Sequence, residues 1–441
     1  MKKALLLVLV LIATALIALA LLSSRTSLEL EPLVKMVGSR TPVRVHVSNP
    51  HGVRHLSAWL EQDGKTYVVF ENHVPASRFG FWRHHVHPRA YAFTAGKENA
   101  PALHDGKAKL TIEAKSNDFL GRTDRLTTDV DVATQPPRVQ VEDAQHYINQ
   151  GGSELVTFRP SGYWTEAGVK VNGYTFRSFP LPGRPANERF SLFAYPWDLS
   201  ADTVPRVYVS NPTGTEVSGR FSYKIFPKSF RSRSLEIDDA FLEKVVNQID
   251  PGVSGDLLSR FLRINGQLRR ENNRTLSDLR LKTEQRVLWR GPFLQLSNSQ
   301  VESQFADIRT YVYKGKKVDQ QVHLGFDLAV SRNVPVEAAN DGKVLWASDL
   351  GIYGNCIVLD HGYGLQSIYG HLSRIDVQVG NMVKKGQKMG LSGSTGLAGG
   401  DHLHFSMQVD GVQVNPVEWW DGHWIQDHIL GKLPAGDGGS R

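Results

Sequence analysis

From Ala4 to Leu22 the chain runs nineteen residues with a single polar side chain, Thr14. In hydrocarbon every backbone N–H and C=O must be paired within the segment, so a lone apolar stretch of this kind can only be a helix. About 20 apolar residues span a bilayer core. Lys2 and Lys3 precede the run, and positive charge marks the cytoplasmic side, which places everything after the helix outside. Ala18-Leu19-Ala20 has the small-residue spacing of a signal-peptide cleavage site but lies inside the run, which also exceeds the usual signal-peptide core of about 7–15 residues. Residues 1–25 are therefore expected to be an uncleaved anchor. One cysteine, Cys356, excludes an internal disulfide framework and is compatible with the cytoplasm or with a bacterial envelope compartment.

Beyond the anchor the pattern is β. In KAKLTIEA (107–114), Ala108, Leu110, Ile112 and Ala114 alternate with polar neighbours, and FSYKIF (221–226) repeats the period with Phe221, Tyr223 and Ile225. TQPPR at 134–138 breaks the region into two halves of the size of immunoglobulin-like sandwiches, expected over 30–136 and 137–228. The period then changes. In DDAFLEKVVNQI, residues Phe241, Leu242, Val245, Val246 and Ile249 form a helical stripe. Pro251-Gly252 ends that helix, and Ser254 is placed to cap a second one carrying Leu257, Leu258, Phe261 and Leu262. Residues 235–285 are thus expected to be a helical connector packed on a neighbour.

The chemistry-bearing residues lie further on. In HLGFDLA (323–329) and DHLHF (401–405), His323 pairs with Asp327 and His402 with His404 at even offsets, which on a strand means one face. If the two strands are neighbours, four ligand-type side chains converge. Three of them would supply the nitrogen and oxygen set that zinc takes with an open fourth position. The HHVH pair at 84–87 has no carboxylate beside it and is assigned to ordinary surface or core histidines, whereas YGHL (369–372) brings His371 into the same glycine-rich stretch. No HExxH glutamate is present, so proton transfer falls to histidine. Cys356 alternates with apolar neighbours and reads as a buried small hydrophobe. Ser394 and Thr395 read as turn formers, with a groove-lining role as the alternative.

The spacing H-x-G-x-D at 323–327, followed by VLDHGYGLQSIYGHL (358–372), VKKGQKMGLSGSTG (383–396) and HLHF (402–405), resembles the lysostaphin-type zinc endopeptidases of the M23 class. The resemblance covers about 292–420 and implies a β-sheet peptidase domain followed by a tail at 421–441. It implies that His323, Asp327 and His404 bind Zn2+ and that His371 and His402 are catalytic, flanking a zinc-activated water. His361 matches a common position without being a ligand. The substrate class implied is the peptide cross-links of peptidoglycan.

The whole is expected to be mainly β: an N-terminal transmembrane helix, two immunoglobulin-like domains, a helical segment and a peptidase domain, held at the inner membrane with the C-terminal part in the periplasm. A net charge of +7 suits anionic lipid or wall polymer, and no nucleic-acid partner is expected. The β region is read as a spacer, which would let 286–441 cleave soluble substrate alone. The rival expectation is a non-catalytic wall-binding protein or an activator of wall amidases, and the intact ligand set argues against it.

Overall fold

The computed structural model describes residues 2–434 apart from 79, 84, 143, 212 and 213. His84 of the HHVH stretch and residues 435–441 of the expected tail lie outside the described residues. The chain is mainly β and divides into two compact units: residues 1–138 with 161–165 and 210–217, and the remainder.

The first unit opens with the helix Lys2–Leu22, long and apolar enough to cross a membrane by length and composition. Two sheets follow and share one core. A three-stranded sheet of Ser27–Leu30, Thr41–Ser48 and Arg89–Ala95 supplies Val43 and Val45, and a five-stranded sheet supplies Leu56, Leu60, Leu110 and Ile112. The period-two pattern at 107–114 is realised in the strand Gly106–Ser116, whose Ala108, Leu110, Ile112 and Ala114 are all buried. The last strand of the five is Lys65–His73, which pairs with Val53–Gln62.

The second unit begins with strands such as Ser153–Ser161, paired with Arg189–Ala194, and the hairpin Glu166–Val171 with Tyr174–Arg177. The expected helical stripe forms Asp239–Ile249, with Leu242, Val245 and Val246 buried. Ser254 does not cap the next helix. Asp256 does, accepting a hydrogen bond from the Ser259 N–H, because a helix N-cap must sit immediately before the first turn and Leu257 opens it. From there Leu257–Arg263, a π-turn at Ile264–Leu268 and Arg269–Asp278 run on continuously. Phe261, Ile264, Leu276 and Leu279 pack with Tyr311, Ile352, Val358 and Ile368, so these helices share the core of the C-terminal sheet. That sheet has eight strands, ordered Gln300–Ser303, Phe326–Ala329, His402–Val409, Leu365–Leu372, Asn355–Gly362, Gly342–Asp349 and Met382–Val383, with Val412–Val414 beside His402–Val409. Cys356 is buried within it, where burial pushes its thiol well above the usual range and makes it a hydrophobe.

Candidate metal centre

HLGFDLA is not one strand. Lys316–His323 ends at the histidine and pairs with Asp307–Tyr313, whereas Phe326–Ala329 belongs to the large sheet. His323 and Asp327 thus reach the site from two different sheets, across a corner at Leu324-Gly325. Gly325 is required there. A Cβ would stand 2.7 Å from His404 Cε1 and 2.7 Å from the Phe405 carbonyl oxygen, closer than real Cβ contacts allow.

Across the corner, Asp327 lies directly opposite His404 on the antiparallel strand, with His402 two residues along on the same face. His323, Asp327, His371, His402 and His404 are all buried. Three atoms form a nearly equilateral triangle: His323 Nε2 to His404 Nδ1 is 2.9 Å, His323 Nε2 to Asp327 Oδ1 is 3.0 Å, and His404 Nδ1 to Asp327 Oδ1 is 3.1 Å. Among the described residues the only other cluster of this kind is His55, Glu71 and His73.

The outer side of each ring fixes where its proton sits. His323 Nδ1–H donates to the Gln304 carbonyl at 3.1 Å. Ser406 Oγ donates to the Leu324 carbonyl at 2.8 Å, so it accepts from His404 Nε2–H, also at 2.8 Å. With both protons committed outward, two lone pairs face each other at 2.9 Å beside a carboxylate oxygen, an arrangement that a cation between them satisfies. Ligands about 2.0–2.1 Å from zinc in tetrahedral geometry lie roughly 3.3 Å apart, close to the separations found here. The residues therefore fit a metal. The flanking histidines follow the same rule, with His371 Nδ1 donating to the Thr395 carbonyl at 2.8 Å and His402 Nδ1 to the Gly400 carbonyl at 2.9 Å. Their rings lie 4.7 Å apart. His402 Nε2 lies 3.5 Å from Asp327 Oδ1; burial acts to lower this imidazole, but the carboxylate outweighs it and holds the group above its usual range.

Burial drives His323 down to about 4 and His371 well below the usual imidazole range, which keeps both neutral. Burial also acts on Asp327, in the direction that would raise it. The histidines around it outweigh that effect and hold the carboxyl far below its usual range. Arg309, itself half-buried, bonds Asp327 Oδ2 at 2.5 Å and leaves Oδ1 for the centre. His371 adopts a backbone φ of 65°, a left-handed conformation uncommon outside glycine and held by its surroundings.

His361 lies elsewhere, bonded through Nδ1 to the Asp341 carbonyl and through Nε2 to Ser367 Oγ, both at 2.7 Å. Thr395 closes a turn: its hydroxyl accepts from the Asn355 N–H and donates to the Leu372 carbonyl, while its own carbonyl orients His371. Sequence reasoning missed Arg309, Gln304 and Ser406. Ser406 carried a signal, since it stands at the next even offset after His402 and His404. Arg309 and Gln304 carried none, because they belong to a different sheet and to its approach.

The comparisons converge on this region. Residues 321–416 match the model of peptidase family M23. A DD-carboxypeptidase/endopeptidase, Mpg, of Neisseria meningitidis is 38% identical over 97 residues, covering 22% of this chain and 22% of that one. The peptidoglycan DD-endopeptidase ShyA of Vibrio cholerae is 40% identical over 96 residues, again 22% of each. The murein hydrolase activator EnvC of Escherichia coli is 38% identical over 95 residues, 22% of this chain and 23% of its own. The chain thus spans about a fifth of the length of the curated relatives it matches. Among solved structures, a putative M23 peptidase of Pseudomonas aeruginosa aligns over 62% of this chain and 94% of its own, at 20% identity and a TM-score of 0.38. The motifs at 323–327 and 402–405 both lie in the matched segment, and the C-terminal part of this chain is a peptidase family M23 domain.

Proposed function

We propose that this chain is a zinc endopeptidase that hydrolyses the peptide cross-links of peptidoglycan, held at the inner membrane by Lys2–Leu22 with its C-terminal part in the periplasm. The observation that carries the reading is the triangle of His323 Nε2, Asp327 Oδ1 and His404 Nδ1, each inward atom stripped of its proton by a partner behind it. Zinc bound there would polarise the scissile carbonyl and lower the pKa of its water from about 15.7 to about 7. The chain's own residues do the rest. His371, kept neutral by burial, presents an unprotonated Nε2 to take the proton of the attacking water, and His402, held in its protonated form more readily by Asp327, is placed to give one to the leaving amine; the Thr395 and Gly400 carbonyls orient the two rings. Arg309 fixes Asp327 in its ligating orientation. A groove of about 790 Å³, lined by Arg233, Phe241, Arg269, Tyr353 and Leu397 besides the histidines, has room for an extended peptide. Two relatives named as DD-endopeptidases support the substrate class.

The relative named as a murein hydrolase activator supports the rival reading, a non-catalytic partner of wall amidases. The test is the full chain in detergent, incubated with cross-linked muropeptide dimers with and without a zinc chelator. Cleavage to monomers that the chelator abolishes and zinc restores is expected. Cleavage indifferent to the chelator removes the zinc mechanism, and intact dimers together with stimulation of an added amidase replace the enzyme with the activator.

A further inference from the structure

In the C-terminal centre two donors face each other across antiparallel strands, Asp327 opposite His404, with His402 two residues along. The first unit repeats that layout. His55 stands directly opposite His73 on paired antiparallel strands, and Glu71 lies two residues from His73 on the same face. The two imidazoles stack with centroids 4.2 Å apart and planes 13° apart. Glu71 reaches both, its Oε1 3.9 Å from His55 Nε2 and its Oε2 3.9 Å from His73 Nε2. These separations are too long for hydrogen bonds. His55 Nε2 is itself buried and has no hydrogen-bond partner, an unmet demand that a charged ligand would satisfy.

We propose that His55, Glu71 and His73 form a second metal site, taking a divalent cation of the zinc type. The donor set is two imidazoles and one carboxylate, borderline ligands that suit zinc over calcium or magnesium. One donor atom from each residue already lies within 4.8 Å of the others. Side-chain rotation has to close these distances to about 3.3 Å for tetrahedral ligation. Glu71 and His73 are exposed and free to rotate, and the two strands fix the Cα positions. Lys115 occupies the position opposite His55 on its other neighbouring strand, and its charge makes the site weaker than the buried centre. The strand Lys65–His73 is the last of its sheet and His73 is its final residue, so the cation would fasten the end of an edge strand to its neighbour.

The test counts metal on the full chain in detergent, purified on a tag without histidine, stripped with chelator, loaded with Zn2+ and dialysed. Metal analysis of the His404→Ala chain, in which the C-terminal centre has lost a ligand, is expected to find about one equivalent remaining, and its melting temperature should rise on adding Zn2+. His404→Ala combined with His73→Asn should lose both the equivalent and the rise. Glu71→Gln in the same background, a milder change on an exposed face, should weaken binding at least tenfold without altering the melting temperature of the stripped protein. A His404→Ala chain that binds no zinc overturns the proposal, as does one whose extra equivalent survives both substitutions. Neither result depends on hydrolysis, so this site can fail while the peptidase reading stands.

Discussion

Arg309 and Asp327 illustrate how much of the proposed metal site lies behind its ligands. The guanidinium occupies one carboxylate oxygen so that the other can serve the centre. Partners behind a ligand typically contribute 10–100-fold in metal affinity. Arg309→Leu should therefore weaken zinc binding by about that factor while leaving the fold intact, as equilibrium dialysis against a zinc buffer will measure. Ligands and flanking histidines should separate in the same assay. His404→Ala and Asp327→Ala should lose zinc and activity together, whereas His371→Ala should keep its zinc and lose turnover. A His371→Ala protein as zinc-poor as His404→Ala would reverse that assignment. The even offset of His402 and His404 was legible from sequence, because a strand converts spacing into facing, whereas His323 and Asp327 come together across a corner that their offset did not foretell. Arg309 was illegible for the same reason: its strand carries no motif and meets Asp327 only through tertiary packing.

Among elements, periodicity read well and junctions poorly. The stripe of Asp239–Ile249 and the strand Gly106–Ser116 formed where their patterns put them. The corner at Leu324-Gly325 was invisible, since HLGFDLA alternates correctly for one continuous strand and only the packing of Gly325 against His404 demands the bend. The helical segment also approaches the site through Lys244, whose Nζ donates at 3.1 Å to the carbonyls of Ala398 and Gly399, beside the Gly400 carbonyl that holds His402. We expect Lys244→Met to retain zinc and to lower kcat several-fold, with Lys244→Arg recovering part of the loss. Unchanged kcat in Lys244→Met would reduce the contact to a surface tether.

For the whole molecule, the expectation that 286–441 suffices meets a set of buried contacts from earlier in the chain. Glu418 accepts from Asn149 Nδ2 at 2.9 Å and from the Ser153 N–H at 2.8 Å, and Glu154 accepts from His428 Nδ1 at 2.8 Å and Lys432 Nζ at 2.6 Å. A fragment beginning at 286 strips away Asn149, Ser153 and Glu154 and leaves the buried Glu418 without its donors, so it should melt well below a fragment beginning at 139 in a thermal scan. Equal melting would restore the simple spacer. Glu154 sets an acid limit as well. Burial opposes its ionisation, but His146, His428 and Lys432 outweigh that and hold it down to about 2, against 4.5 ordinarily. Its stabilisation is complete above pH 4.5 and disappears as pH falls toward 2, by about 3 kcal/mol. Glu154→Gln should be less stable at pH 7 and lose less on acidification, as urea titrations at several pH values will show.

Asp410 follows directly on the strand that bears His402 and His404, and it clamps Arg177 through the backbone N–H at 2.7 Å and Nε at 2.8 Å. In mechanical terms, that strand is anchored at both ends: by the centre at one and by the Tyr174–Arg177 hairpin at the other. A displacement of the hairpin is therefore passed along that strand toward His402 and His404, so the position of the two histidines and the seating of the hairpin are mechanically one quantity.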